Sequence, residues 1–293
     1  MDQQNENRKS ASGGNANKDA DGKKANTVFG ELIDYGLEEA AYTNVYGIID
    51  NTLPADQFTN EELKEIMGGL YLKSFKCPIC NVDAKIPAVR SSSVRLIQTE
   101  SDFMPTYKDP NPLYYFVDFC DKCGFAAMPT TIKGLTAAQK KLIKDRISAK
   151  WKFDKTYPTY YTPQIAIEIH KLGLYNAVVA GEKESIRSVL CLHIAWMYRI
   201  LKDEENEKTF LLMALEGFER AYSAESEVVG GLDKSSQQYL VGELKRRTGD
   251  MTGALNWFKL VLIDREANNR IKDMARNQKD RITAYYASGG KFV

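Results

Sequence analysis

Two C-x-x-C pairs, Cys77-Pro78-Ile79-Cys80 and Cys120-Asp121-Lys122-Cys123, lie with 39 residues between Cys80 and Cys120. No other feature narrows the choice of fold as far. Each pair bends into a knuckle that aims two sulfurs at one point, and two knuckles complete a tetrahedral site. The residue after each second cysteine suits that bend. Asn81 and Gly124 are the types that best tolerate the left-handed backbone a knuckle needs.

The flanking chain reads as short strands and turns from Tyr71 to about Met128. Lys85–Arg90 and Val94–Gln98 are expected strands, separated by a turn at Ser91-Ser92-Ser93. Leu113–Phe119 alternates, which predicts a strand with Leu113, Tyr115, Val117 and Phe119 on one face. The spacing between the pairs is longer than a compact ribbon requires. The excess is assigned to a proline-rich loop at residues 99–112, marked by Pro105, Asp109-Pro110 and Asn111-Pro112. Residues 71–130 are therefore expected to form a zinc-ribbon-like four-cysteine module, with Cys77, Cys80, Cys120 and Cys123 as metal ligands.

Four thiolates leave zinc no open position, so the expected role is structural. The formal charge of −2 calls for compensation, and Lys76, Lys122 and backbone N–H groups stand close in sequence. Iron fits the same ligand set by softness and geometry. A redox dithiol needs only one pair and usually sits among α/β elements. The fifth cysteine, Cys191, lies in the apolar run Val189-Leu190-Cys191-Leu192 and reads as a buried, inert thiol. The two histidines, His170 and His193, read as core or surface residues and leave little scope for a histidine metal site. No glycine-rich phosphate loop, G-x-S-x-G elbow or H-E-x-x-H is present, so no catalytic constellation points to an enzyme.

Forty basic against 39 acidic side chains give a formal charge of +1, which supplies no global field for nucleic acid or anionic membrane. Locally, six basic residues (Lys76, Lys85, Arg90, Arg95, Lys108, Lys122) face six acidic ones (Asp83, Glu100, Asp102, Asp109, Asp118, Asp121). Base stacking on Tyr107, Tyr114, Tyr115 and Phe116 is the nucleic-acid alternative, and the neutral balance weighs against the phosphate contacts it needs. A third reading places a small-molecule or enzymatic site in the loop with Arg90, Arg95, Asp102, Tyr107 and Asn111. The structural reading of those residues pairs Arg95 with Asp102 and satisfies loop backbone. No run of 18 apolar residues exists and the N-terminal stretch lacks the apolar core of a signal peptide, so a reducing cytoplasm is expected.

Residues 1–27 hold no aromatic residue and read as a disordered tail; residues 28–70 read as an extension with helices. One of those helices starts at a capping box, Thr59 with Glu62, and stops at Gly68-Gly69. From 135 to 293 the pattern is helical throughout. Thr136 with Gln139 opens one helix and Thr162-Pro163 opens another over Ile165–Leu172. Ile186–Leu201, Phe210–Tyr222, Ser235–Arg247, Thr252–Asp264 and Asn268–Tyr286 follow, with a charged loop expected at Lys202–Lys208. Gly242, Gly249-Asp250, Ala254, Leu255, Phe258 and Val261 match the small and aromatic positions of a tetratricopeptide-like unit. A weaker echo runs through Ala195, Ala214, Phe218 and Ala221. The glycines of Met251–Trp257 belong to that helix hairpin. The fold class is thus α+β, mostly α: a small zinc-ribbon-like β module followed by a tetratricopeptide-like helical domain.

The chain also resembles a known grouping. Phe75–Cys80, Val89-Arg90-Ser91, Arg95-Leu96, Ser101-Asp102-Phe103, Tyr107, Asn111–Tyr115, Cys120–Ala126 and Ala195–Arg199 look like the bacterial domain-of-unknown-function 2225 family, over roughly residues 71–225. The resemblance implies a bacterial cytosolic protein with a cysteine-rich module and tetratricopeptide-like helices, and it implies no activity. The resulting expectation is a metal-binding scaffold that holds a protein or peptide in its helical groove.

Overall fold

The computed structural model describes residues 58–152, 157–225 and 231–289. The tail at 1–27 and residues 28–57 of the expected extension lie outside the described residues. Helix α1 (Asn60–Gly68) begins at the capping box, with Thr59 and Glu62 bonding reciprocally. Strands β1 (Leu70–Lys76) and β2 (Asp83–Val89) form an antiparallel hairpin, Leu70 opposite Val89 and Lys76 opposite Asp83. Strands β3 (Arg95–Thr99) and β4 (Pro105–Lys108) form a second hairpin with an irregularity at Ile97, and β5 (Asp118–Phe119) and β6 (Ala126–Ala127) a third. The serine turn is a 3₁₀ turn over Ser91–Ser93.

The helices are α2 (Pro129–Ile132), α3 (Ala137–Arg146), α4 (Pro163–Val179), α5 (Glu184–Ile200), α6 (Glu204–Ala224), α7 (Lys234–Thr248), α8 (Met251–Ile263) and α9 (Asn269–Ala287). The predicted caps hold: Thr136 with Gln139 opens α3, and Thr162 before Pro163 opens α4. Consecutive helices pack on one another from α4 to α9. Between α7 and α8 the approach is close. A Cβ at Gly242 would come within 2.7 Å of the Phe258 ring, which is why a small residue faces an aromatic there.

Three expectations are corrected. Leu113–Phe119 is not one strand: Pro112–Tyr115 is a 3₁₀ turn and only Asp118–Phe119 pairs as a strand. Asn111 accepts the Leu113 N–H and Pro112 supplies a turn-ready φ, so the local chemistry favours a turn. The expected loop at 99–112 contains β4, which pairs with β3. The expected charged loop at Lys202–Lys208 is mostly the first turn of α6. Asp203 accepts the Asn206 N–H, and Glu204, Glu205 and Glu207 sit at the positive end of the helix dipole.

No break in packing separates the β region from the helices. One buried cluster joins Ile66, Leu70, Leu113 and Phe119 to Ile165, Leu190, Phe218 and Leu240. A second joins Phe75, Ile86 and Phe125 to Ile143, Ile147 and Tyr175, and contains Cys77, Cys120 and Cys123. The four-cysteine region therefore rests on α3 and α4.

Candidate metal centre and its support

Each knuckle is the turn of a hairpin. In the first, between β1 and β2, Cys77 donates its N–H to Val82 O (3.0 Å) and accepts the Asn81 N–H at its carbonyl (3.0 Å). In the second, between β5 and β6, Cys120 donates to Phe125 O (2.8 Å) and accepts from Gly124 N–H (3.0 Å). Both patterns span the same offsets. Asn81 at φ 60° and Gly124 at φ 72° occupy the left-handed region that the sequence requires of them.

The knuckles bring together all four predicted sulfurs. Cys77 Sγ is 3.5 Å from Cys123 Sγ, and Cys80 Sγ is 3.7 Å from Cys120 Sγ. All four lie within 4.8 Å of one another. Metal–sulfur arms of about 2.3 Å give a tetrahedron with sulfur–sulfur edges of about 3.8 Å, so the cluster fits a single ion. The fifth cysteine is elsewhere, buried in α5, where burial pushes its thiol up.

Crowding of the sulfurs splits the proton affinities of Cys77, Cys120 and Cys123. Hydrogen bonds from the Cys120 and Cys123 thiols pull Cys77 down to about 4. Cys123 is pushed far up by its hydrogen bonds with Cys120 first and Cys77 second. Backbone N–H groups of Ile79 and Cys80 favour the Cys77 thiolate, as that of Lys122 does for Cys120 and that of Phe125 for Cys123. A bound cation takes over the role of the shared protons. Lys122 is exposed and pairs with Asp121 at 2.9 Å, so its charge is directed partly to its neighbour.

The second knuckle has support that sequence reading missed. Trp151 lies over Gly124, where a Cβ would sit 2.5 Å from the indole, and its Nε1–H donates to Asp121 O (2.8 Å). From α4, Asn176 Nδ2–H donates to Gly124 O (3.0 Å) and to Leu172 O (2.9 Å). The two outer hairpins are linked by Lys73 of β1 and Asp118 of β5, 2.6 Å apart.

The polar residues of the inter-cysteine segment do not converge. Arg95 is exposed and donates to Ser92 O and Val94 O, while Arg90 lies over the Tyr71 ring and donates to Gly68 O. Asn111 caps the 3₁₀ turn. The expected Arg95–Asp102 pair is absent because Asp102, at the β3–β4 tip, is fully buried between helices. There Arg199 Nη2 of α5 meets it at 2.6 Å and Trp196 Nε1–H donates to it at 3.1 Å. Burial alone would raise the Asp102 carboxyl; Arg199, Arg247 and Trp196 together hold it below its ordinary value. On either side, Ser101 donates to Glu243 of α7 (2.6 Å) and accepts the Tyr239 O–H at its carbonyl (2.9 Å). Phe103, at φ 68°, packs at a tilt against Tyr239 with centroids 5.4 Å apart. Ser101-Asp102-Phe103 and Ala195–Arg199 both carry the family resemblance, but nothing in the local pattern of either names the other. Of the four aromatics considered for base stacking, Tyr114 and Tyr115 are buried, and Tyr107 and Phe116 are half-buried.

These features define a class: a mostly helical α+β protein whose small antiparallel hairpins carry a four-cysteine cluster able to hold a metal ion. The family model described as "Uncharacterized protein conserved in bacteria (DUF2225)" matches residues 70–282, and the chain belongs to that family. Searches of curated proteins and of solved structures returned no match. Among the described residues no helix is long and apolar enough to cross a membrane.

Proposed function

We propose that the protein is a metal-stapled scaffold. In this reading Cys77, Cys80, Cys120 and Cys123 hold one structural zinc ion, and the helices from α4 to α9 present a groove to a protein or peptide partner. The observation that carries it is the sulfur cluster itself, with edges near those of a tetrahedral thiolate site and both knuckles in the left-handed conformation. Four protein ligands fill zinc's coordination, which favours a structural over a catalytic ion. Stacked helix pairs such as α7 with α8 support the adaptor role, since such stacks commonly expose a concave binding face. Iron in the same ligand set would instead make the centre an electron carrier.

Native mass spectrometry of the full chain, purified reduced and without added metal, tests the reading. One zinc per chain, lost in Cys77→Ser, is the expected result. A folded chain free of metal would overturn it, and iron would move the centre to redox work. Affinity capture from the producing cells tests the adaptor role, which repeated failure to retain any specific protein would remove.

A further inference from the structure

Between the β3–β4 hairpin and helices α5, α6 and α7 lies a cavity of about 340 Å³, within the range of about 300–1,000 Å³ usual for small-molecule sites. Phe103 and Tyr107 of the hairpin, Phe116, Val189 and Trp196 of α5, and Phe218 of α6 form much of its wall. Among the described residues no charged side chain lines it. The nearby Asp102 and Arg199 are committed to each other, and the Trp196 N–H is committed to Asp102.

One wall residue breaks the apolar pattern. His193 is 8% exposed, and its Nδ1 is buried with no hydrogen-bond partner among the described residues. Its ring lies between Phe116 and Trp196, with centroids 4.2 and 4.8 Å away. Burial holds the imidazole well below its ordinary pKa, with His170 adding to the effect, so it is neutral near pH 7. A neutral imidazole presents one acceptor and one donor and attracts no anion. A phenyl ring would fill the same aromatic stack without leaving a buried nitrogen unpaired, so packing alone gives no reason for histidine. Nδ1 is enclosed and out of reach from the cavity, so the nitrogen that a ligand's hydrogen-bonding group can meet is Nε2, which is not enclosed in this way.

We propose that this cavity binds an uncharged, largely apolar small molecule of flat shape, whose single hydrogen-bonding group meets His193. The site is separate from the four-cysteine centre, and the proposal does not depend on the metal or on a protein partner.

The test uses the full, metal-replete chain and N-phenyl-1-naphthylamine, an uncharged aromatic amine with one N–H, followed by its own fluorescence and by tryptophan quenching. Saturable binding at one site per chain is expected. Val189→Phe, which fills the cavity from α5, is expected to weaken it about tenfold or more with the circular dichroism unchanged. If that variant does not fold, Leu232→Trp fills the same cavity from outside the helices. His193→Phe is expected to weaken N-phenyl-1-naphthylamine about fivefold, to leave the affinity for naphthalene unchanged, and to raise the melting temperature. Absence of saturable binding, or an affinity untouched by the filling variants, would overturn the proposal. A His193→Phe chain that melts lower and binds both probes as before would make the histidine a packing residue and remove its role.

Discussion

In the first knuckle Asn81 and Val82 face solvent and Cys80 is half-exposed, whereas in the second Cys123, Gly124 and Phe125 are all buried under Trp151 and α4. The backbone hydrogen bonds of the two are the same in pattern, and so is the left-handed residue that closes each turn. What differs is who holds the turn in place. Local sequence sets the shape of a knuckle, and the tertiary surroundings decide whether it keeps that shape without its ion. The second knuckle has two side chains bonded to its carbonyls, from Trp151 and Asn176. The first leans on its hairpin, on the apolar contacts of Phe75, Cys77 and Ile86, and on the sulfurs opposite.

The sharpest way to break this comparison is to remove the metal. Structural zinc contributes roughly 10–16 kcal/mol in small peptides, so this is the largest effect expected. Chelation of the reduced protein should speed amide exchange about 100-fold or more at Cys77 and Asn81. The matching amides of Cys120 and Gly124 should change far less. Equal loosening of both turns in hydrogen-exchange mass spectrometry would show that they stand or fall together.

A paired substitution sharpens the same contrast at smaller scale. Gly124→Ala adds a Cβ 2.5 Å from Trp151 on top of the cost of a positive φ, and should destabilise by about 3 kcal/mol. Asn81→Ala meets the same φ on an exposed turn and should cost about 1 kcal/mol. Thermal melts of the metal-bound variants read both. Similar losses would mean that the indole yields easily and the second knuckle is no better held than the first.

The smallest effect separates the helical half from the cysteine centre by acid. Burial lowers His170 from 6.5 to about 4, and His193 shifts the same way. A histidine whose folded pKa is depressed contributes stability that is complete above its unfolded value. That stability is lost as pH falls from about 6.5 toward 4, because the unfolded chain takes up protons that the folded one refuses. The melting temperature should therefore decline across that window, and the gap between wild type and His170→Gln should narrow as pH falls. A gap that is constant with pH would place the acid sensitivity in the thiolates instead.

Much of the cysteine centre was legible because its determinants are local. Cys77, Cys80, Cys120 and Cys123 announce two turns, and Asn81 and Gly124 declare the backbone those turns need. The capping pairs Thr59–Glu62 and Thr136–Gln139 are local in the same way. Misreadings arose where an alternation hides a local turn, and where distant residues decide. Leu113, Tyr115, Val117 and Phe119 alternate as a strand does, yet Tyr114 is buried as well, so the alternation does not report two faces. Arg95 stood seven positions from Asp102, and the true partner lies 97 residues away on α5. His193 and Phe116 meet only when the helices assemble. No local pattern could place a neutral imidazole against a cavity wall.

The tip of the β3–β4 hairpin has a mechanical consequence. Ser101, Asp102 and Phe103 grip α5 through Trp196 and Arg199 and α7 through Tyr239 and Glu243, straddling α6. A stack of helix pairs linked only to nearest neighbours flexes like a spring, each small tilt adding to the next. Here a clamp from outside the stack fixes the pitch between two of its coils. Any surface these helices offer is accordingly stiff in that stretch and freer toward α8 and α9, beyond the clamp's reach.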